Sequence, residues 1–281
     1  MQIIDNNICW PNQWGQKTSI MGIMNLTPDS FSDGGELSDV NLVLKRVQYL
    51  IDSGVDVIDL GGQSTRPGAV EVGTKIEILR LIPSLKEIRS KYPELLISVD
   101  TFNSEVAYEA LLNGANWIND VTGGRRDERI LEIVSEFKCP FVITHSKGNS
   151  QTMNQLTKYD NLIEDILSDL TKLTEKALSK NIRKDKIIWD PGIGFAKNSY
   201  QNILILKNLS KFKCYGYPIL IGASRKRFIG EILGIDNPQD RDIGTLAISS
   251  ICSKFKVDLV RVHNVSLNYQ VLKLSDAVYR F

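Results

Sequence analysis

Eight short apolar runs, each closing on a polar cluster and separated from the next by a segment long enough for a helix, predict an α/β chain built as one (β/α)8 TIM barrel. Three observations carry that expectation. The runs recur along the whole of the 281 residues, which is a length that α/β barrels use for a single domain. The segments between them show helical spacing, and strand–helix alternation implies parallel pairing through crossover helices. The count is eight, which favours a closed barrel over a doubly wound open sheet.

In order, the predicted strands are 20–25, 55–61, 95–101, 117–122, 140–146, 186–190, 218–224 and 259–265. Continuous apolar runs of this length are expected for strands buried on both faces. Between them, Val40, Val43, Leu44, Val47, Leu50 and Ile51 fall on one helical stripe, and Ile163, Ile166, Leu167, Leu170, Leu173 and Leu178 on another. Segments 242–255 and 266–279 are also helical in character, and Gly54 and Gly114 stand where helices should stop. The Lys-rich stretch 172–186 is the solvated face of a helix and the turn after it. Residues 1–19 precede the first strand; Trp10-Pro11 and Trp14-Gly15 suggest a small β-turn extension that plugs the barrel floor. One domain, 1–281, is expected, with the barrel over 20–281.

Composition narrows the function. With 34 basic and 33 acidic residues the net charge is +1, which offers no electrostatic footprint for nucleic acid. No apolar stretch is long enough for a membrane span, and the first residues lack the pattern of a signal peptide. Cys9, Cys139, Cys214 and Cys252 are far apart with no CxxC pair, so they read as free, buried thiols of a reducing, cytoplasmic compartment.

Barrel enzymes carry their chemistry at the C-terminal ends of the strands. Here those ends hold Asn25, residues 61–68 (GGQSTRPG), Asp100, Asn119-Asp120, Thr144-His145-Ser146, Asp190, Ser224-Arg225-Lys226 and Arg261 with His263. So many ionisable and amide groups exceed what a structural barrel needs, because buried charges are costly unless paired. Arg261 and His263 lie two apart on one strand and point the same way, which suits a phosphate or pyrophosphate. Asp100 and Asp190 are placed to face inward, either for acid/base work on a sugar or to accept adjacent N–H donors of a flat heterocycle. With Asn119 and Lys226 beside them, the mix suits a polar planar ring better. Asp190 also reads as a turn residue before Pro191, and His145 as a hydrogen-bonded interior residue. Several motifs fail. GIGFAK (192–197) has Lys where a dinucleotide fingerprint needs Gly or Ala. GASRK (222–226) lacks the last Gly of a nucleophile elbow. Two histidines without HExxH or CxxC do not make a zinc site.

Seven segments in order resemble dihydropteroate synthases: residues 21–35 (MGIMNLTPDSFSDGG), 59–69 (DLGGQSTRPGA), 98–124 (SVDTFNSEVAYEALLNGANWINDVTGG), 144–148 (THSKG), 190–197 (DPGIGFAK), 222–230 (GASRKRFIG) and 261–265 (RVHNV). The resemblance implies a (β/α)8 transferase of folate biosynthesis. It would condense 6-hydroxymethyl-7,8-dihydropterin pyrophosphate with p-aminobenzoate to 7,8-dihydropteroate and pyrophosphate. It implies that Asp100, Asn119, Asp190, Lys226 and Phe195 hold the pterin, with Asp100, Asp190 and Lys226 the catalytic set. Arg66, Thr65, Arg261 and His263 would bind the pyrophosphate. Phe31, Thr65, Pro67 and Ser224 would line the p-aminobenzoate side, and Asn25 would help bind Mg²⁺. Loops 25–37 and 61–73 would close over the site, and the chain would form a homodimer. An SN1-like substitution without a covalent enzyme intermediate is expected. Two alternatives share the resemblance, a folate-dependent methyltransferase barrel and a pterin-binding paralogue without catalysis. Thr144 and Ser146 stand where the family usually has Met, which predicts a looser pterin wall. Gln63 stands for a frequent Glu, a tolerated change.

Overall fold

The computed structural model describes residues 9–27, 40–64 and 68–280. Phe31, Thr65, Arg66 and Pro67 lie outside the described residues, as does most of the first loop. Eight strands are present: β1 (Ser19–Asn25), β2 (Val57–Gly61), β3 (Leu96–Asp100), β4 (Trp117–Asp120), β5 (Phe141–Thr144), β6 (Ile187–Asp190), β7 (Leu220–Ile221) and β8 (Leu259–Val262). All pair in parallel in the order β6-β5-β4-β3-β2-β1-β8-β7. A single bridge between Trp189 and Ile219 closes the ring, helped by the Trp189 N–H donating to the Pro218 carbonyl at 2.8 Å. The seventh strand is far shorter than the run 218–224. The Ile219 N–H donates to the Asp258 carboxylate at 2.8 Å rather than to a neighbouring strand, and Gly222 to Ser224 already belong to the loop.

The described residues hold ten α-helices rather than eight: α1 (Val40–Asp52), α2 (Thr74–Lys91), α3 (Ser104–Leu112), α4 (Arg129–Phe137), α5 (Leu162–Ser179), α6 (Ser199–Lys207), α7 (Leu209–Lys213), α8 (Arg227–Leu233), α9 (Asp242–Lys254) and α10 (Val265–Tyr279). Two connections carry a broken helix. Asn208 ends α6, its side chain donating to the Leu204 carbonyl at 2.8 Å. Gly234, at φ 68°, ends α8 in the left-handed conformation that glycine takes cheaply. On α1, Val43, Val47 and Leu50 are buried. On α5 the predicted stripe is buried up to Leu173, but Ala177 then turns inward and Leu178 outward, because the stripe follows 3.6 residues per turn.

Inside the barrel the side chains lie in layers. The lowest is apolar and takes one residue from each strand: Met21, Val57, Leu96, Trp117, Val142, Ile188, Leu220 and Leu259. Trp10 and Trp14 close it from below. Their rings stack at 4.8 Å and meet the Trp117 ring edge-on at 5.3 and 5.9 Å, and Trp117 Nε1 donates to the Cys9 carbonyl at 2.8 Å. Two residues further along each strand the alternation returns to the interior. That layer reads Ile23, Asp59, Ser98, Asn119, Thr144, Asp190, Gly222 and Arg261. The barrel is thus sealed by hydrocarbon at its floor and charged above it. The four cysteines do not all share the predicted burial. Cys139 and Cys252 are buried, Cys9 is half-buried and Cys214 is exposed, because Cys214 follows the surface helix α7.

Candidate functional site

Register brings the strand ends together. Asn25 pairs with Gly61, Gly61 with Asp100, and Asp100 with Asn119; Thr144 pairs with Asp190 on the neighbouring strands β5 and β6. Side-chain caps then fix where several of the loops must become helices. Asn103 caps α3 just beyond Asp100, Asn198 forms a capping box at α6 beyond the Asp190 loop, and Asn264 caps α10 beyond His263.

At the centre stands Arg261. Its Nε donates to Asp59 Oδ2 at 2.6 Å and its Nη2 to Asp100 Oδ2 at 2.7 Å. Asn119 Nδ2 donates to the same Asp59 oxygen at 3.1 Å. Burial opposes the charge on Arg261, but Asp59 and Asp100 outweigh it and hold the guanidinium firmly charged. Arg261 and His263 stand two apart at the end of β8, as the sequence suggested. Alternation does bring both inward, but the buried acids below claim the longer side chain, while the His263 ring turns to Ser224. The Ser224 hydroxyl accepts from the His263 N–H at 3.1 Å and lies 2.9 Å from His263 Nδ1.

Asp100 is pushed up to about 7, chiefly by burial, with Asp59, Glu77 and Asp120 adding to the rise and Arg261 opposing it. Burial also raises Asp190, against the Gly192 N–H (donating at 2.7 Å) and the Lys226 ammonium. Asp190 is thus both a turn residue before Pro191 and an inward acid. Lys226 is lowered to about 8 by burial, with Asp190 pulling it back up. Its ammonium donates to the Ile193 carbonyl and lies 4.2 Å over the Phe195 ring. A Cβ built on Gly222 would come within 3.9 Å of both Asp190 Oδ2 and Arg261 Cβ, and one on Gly61 within 3.4 Å of Asn25 Oδ1. Asp100, Asn119, Asp190 and Lys226 therefore surround one space, with Asn25 at its rim.

A cavity of about 390 Å³ opens beside this cluster, lined among others by Val121, Arg125, Ser146, Met153 and Phe195. Thr144, buried just below, has a hydroxyl without a hydrogen-bond partner. Ser146 is tied to the loop after β4: its hydroxyl donates to the Val121 carbonyl at 2.7 Å, and Arg125 holds its carbonyl at 2.8 Å. His145 is the interior residue that its surroundings favoured. Burial, then Lys197, drives it down to about 2, so it is neutral.

Three buried groups escaped the sequence reading. Asp59 is fully buried in mid-strand, so a search of strand ends passes over it; its signal is a lone acid inside the apolar run VIDLG. Lys197 is the residue that broke the dinucleotide pattern. Its ammonium donates to the Gly192 and Phe195 carbonyls and to His145 Nδ1, each at 2.9 Å, and so shapes the loop that presents Phe195. Glu77, on α2, is raised to about 7 by burial and accepts from Gln63 Nε2 at 3.4 Å.

Among the described residues no group of three or more His, Cys, Asp or Glu side chains is arranged to hold a metal ion. Asn25 offers a hard oxygen at the rim. That suits Mg²⁺ carried mainly by substrate phosphates and water.

Residues 21–263 match the pterin-binding enzyme family. The dihydropteroate synthase of Synechocystis sp. is 41% identical over 267 residues, covering 95% of this chain and 92% of that protein. A dihydropteroate synthase from Clostridium difficile, solved in the presence of pteroic acid, superposes with a TM-score of 0.90 at 39% identity, covering 95% of this chain and 99% of the other. One from Xanthomonas albilineans, solved with 4-aminobenzoic acid, gives 0.88 at 35% identity and 94% of both chains.

Proposed function

The chain belongs to the family of pterin-binding enzymes, and we infer that it is a transferase of folate biosynthesis, a dihydropteroate synthase. It would join 6-hydroxymethyl-7,8-dihydropterin pyrophosphate to p-aminobenzoate and release pyrophosphate. The observation that carries this reading is the buried layer in which Asp100, Asn119, Asp190, Lys226 and Arg261 share one space. A flat ring edge with adjacent N–H donors matches two carboxylates and an amide. Lys226 supplies donors to ring acceptors, and Phe195 supplies a face.

Breaking the bond to pyrophosphate leaves positive charge on the exocyclic methylene, which the electron-rich ring spreads. Asp100 and Asp190 supply a negative field already in place where that charge develops. Arg261, turning from Asp100, and His263 beyond it would meet the leaving group from the end of the last strand. Bound Mg²⁺, held through Asn25 and the pyrophosphate, would add neutralising charge to the leaving group. The amine of p-aminobenzoate then meets a carbon held in position beside Ser224, so catalysis is mostly placement and field. No strong base is required, which fits a dissociative, SN1-like course.

The test is Mg²⁺-dependent release of pyrophosphate from the two substrates together. Pterin binding without release would overturn the synthase reading in favour of a non-catalytic paralogue. Positional isotope exchange in the pyrophosphate without p-aminobenzoate tests the dissociative course; its absence would argue for concerted attack.

We further propose one catalytic unit per chain, a cytoplasmic setting and a homodimer. For the dimer, Leu267, Val271, Leu274 and Val278 form an outward stripe on α10, with Leu274 70% and Val278 63% exposed. Sedimentation of Leu274→Glu against the unsubstituted chain tests it; an unchanged mass would dismiss that face. Among the described residues no helix is long and apolar enough to cross a membrane.

A further inference from the structure

We propose that Asp59 is a positioning residue that pins Arg261 at its Nε. It would thereby leave the outer end of the guanidinium able to pass from Asp100 to the pyrophosphate when the pterin enters. The inference rests on the functional reading above and goes beyond it. Asp59 is fully buried, one inward step below Gly61, and so lies beneath the rim where substrate would bind. One of its oxygens takes both the Arg261 Nε–H at 2.6 Å and the Asn119 amide at 3.1 Å. It therefore holds two of the side chains assigned to the two halves of the substrate.

The geometry sets two partners in competition for Asp100. Asp100 is engaged by Arg261 Nη2 at 2.7 Å, yet the same carboxylate is needed for the ring. Arriving N–H donors would displace Nη2. Without Asp59 the guanidinium would then sit buried with no fixed partner, which is costly. With Asp59 it keeps one charge-assisted bond and is swung, not released. The Nε contact sets the pivot, and the bidentate fork of Arg reaches the departing oxyanion from there. The other oxygen, Asp59 Oδ1, is buried without a hydrogen-bond partner, as is the hydroxyl of its register neighbour Ser98. The hydrogen bonds of Asp59 thus run from one oxygen to Arg261 and Asn119, the shorter to Arg261.

The experiment compares Asp59→Asn, Arg261→Lys and the double variant by steady-state kinetics and calorimetric binding. The ligands are dihydropterin pyrophosphate and its alcohol, which lacks the pyrophosphate. Asp59→Asn keeps the shape and removes the charge. The KM for the pyrophosphate ester should rise roughly ten- to a hundred-fold, the scale of one charged hydrogen bond. The KM for p-aminobenzoate should hold, and affinity for the alcohol should fall much less than affinity for the ester. Arg261→Lys keeps the charge but cannot be held at Nε while reaching outward, so it should show the same selective loss. The double variant should add little to either. Equal losses for ester and alcohol, additive effects in the double variant, or a lowered melting temperature with unchanged KM would each overturn the inference. Should Asp59→Asn not fold, Arg261→Lys decides alone, and normal ester binding by that variant refutes the pivot. If the unsubstituted chain releases no pyrophosphate and binds neither ligand, the functional reading falls first, and this inference with it.

Discussion

Replacing Lys197 with Met should cost stability and pterin affinity together, because one buried ammonium holds the whole strand-six loop. Lys197 is 4% exposed. Three acceptors stand 2.9 Å from its Nζ: the Gly192 carbonyl, the Phe195 carbonyl and His145 Nδ1. Three acceptors at that distance match the three protons of an ammonium, although burial presses its pKa well below the ordinary lysine value, with Asp190 resisting. His145, lowered to about 2, is neutral and free to accept. Methionine fills a similar volume, so no large cavity term enters. What remains is three buried acceptors without a donor, at about 1–3 kcal/mol each. Relief of ammonium desolvation, several kcal/mol per ion, offsets part of that. The acceptors are neutral groups and Asp190 keeps Lys226 and Arg261 as cationic neighbours, so the net loss should be about 2–4 kcal/mol.

Urea unfolding at neutral pH reads the stability. Calorimetry with a dihydropterin reads the affinity, which should fall as Phe195 and the Ile193 carbonyl lose their fixed places beside Lys226. A midpoint unchanged within about 0.5 kcal/mol, the usual range for surface substitutions, together with native pterin affinity, would refute the claim that Lys197 organises this loop.

Glu77→Gln should stabilise the chain at pH 8 and not at pH 4. The folded-state pKa is raised to about 7 from 4.5, so the native state keeps a proton that the unfolded chain releases. Native stability therefore falls as pH rises from about 4.5 to about 7, by roughly 3 kcal/mol at most. The gap between variant and native midpoints should open across that window and then stay flat; a gap independent of pH would show that burial does not set this carboxyl. Gly192→Ala should be severe, near 3 kcal/mol or more, because a Cβ there would lie 1.9 Å from the His145 carbonyl oxygen at φ 72°. Gly234→Ala, also left-handed at φ 68° but with open space around it, should cost only about 1 kcal/mol. Similar melting temperatures for the two would show that close approach is not the issue. Thr144→Val should stabilise by about 1 kcal/mol in urea, since it removes a buried hydroxyl that has no partner; destabilisation would mean that the hydroxyl is satisfied.

Much of the barrel was legible because each strand is short, apolar and followed by a polar cluster. The ring of Asp100, Asn119, Asp190 and Lys226 followed from one rule, that chemistry gathers at strand ends. What escaped has a common physical cause. Asp59 is mid-strand, Glu77 sits on a helix and Lys197 ends a loop, so none occupies a position where periodicity flags a polar residue. Their roles depend on partners far away in sequence. Asp59 and Arg261 are 202 residues apart, and no local pattern encodes that pairing. The broken helices after β6 and β7 were hidden for the opposite reason. Asn208 and Gly234 are ordinary residues for a helix end, and although segment 242–255 was legible as α9, nothing marked the short helices α7 and α8.

The charge arrangement also bears on why the interior tolerates so many ions. Asp59, Asp100 and Asp190 face Arg261 and Lys226, so the buried site is nearly balanced before any ligand enters. A pterin pyrophosphate brings a ring that turns cationic as its bond breaks and a strongly anionic tail. On the reading argued above, the ring would take Arg261's place on Asp100 while the tail takes Asp100's place on Arg261. Each buried ion then exchanges one partner for another, and no step requires a bare charge inside the barrel. A neutral ring without the tail would free Arg261 from Asp100 and give it nothing in return. The Arg261–Asp100 ion pair should therefore discriminate against the pterin alcohol and favour the activated ester. Raising the salt concentration should leave that preference largely intact, because these pairs are buried and screened far less than surface pairs. A preference that vanished with salt would place the discriminating charges at the surface instead.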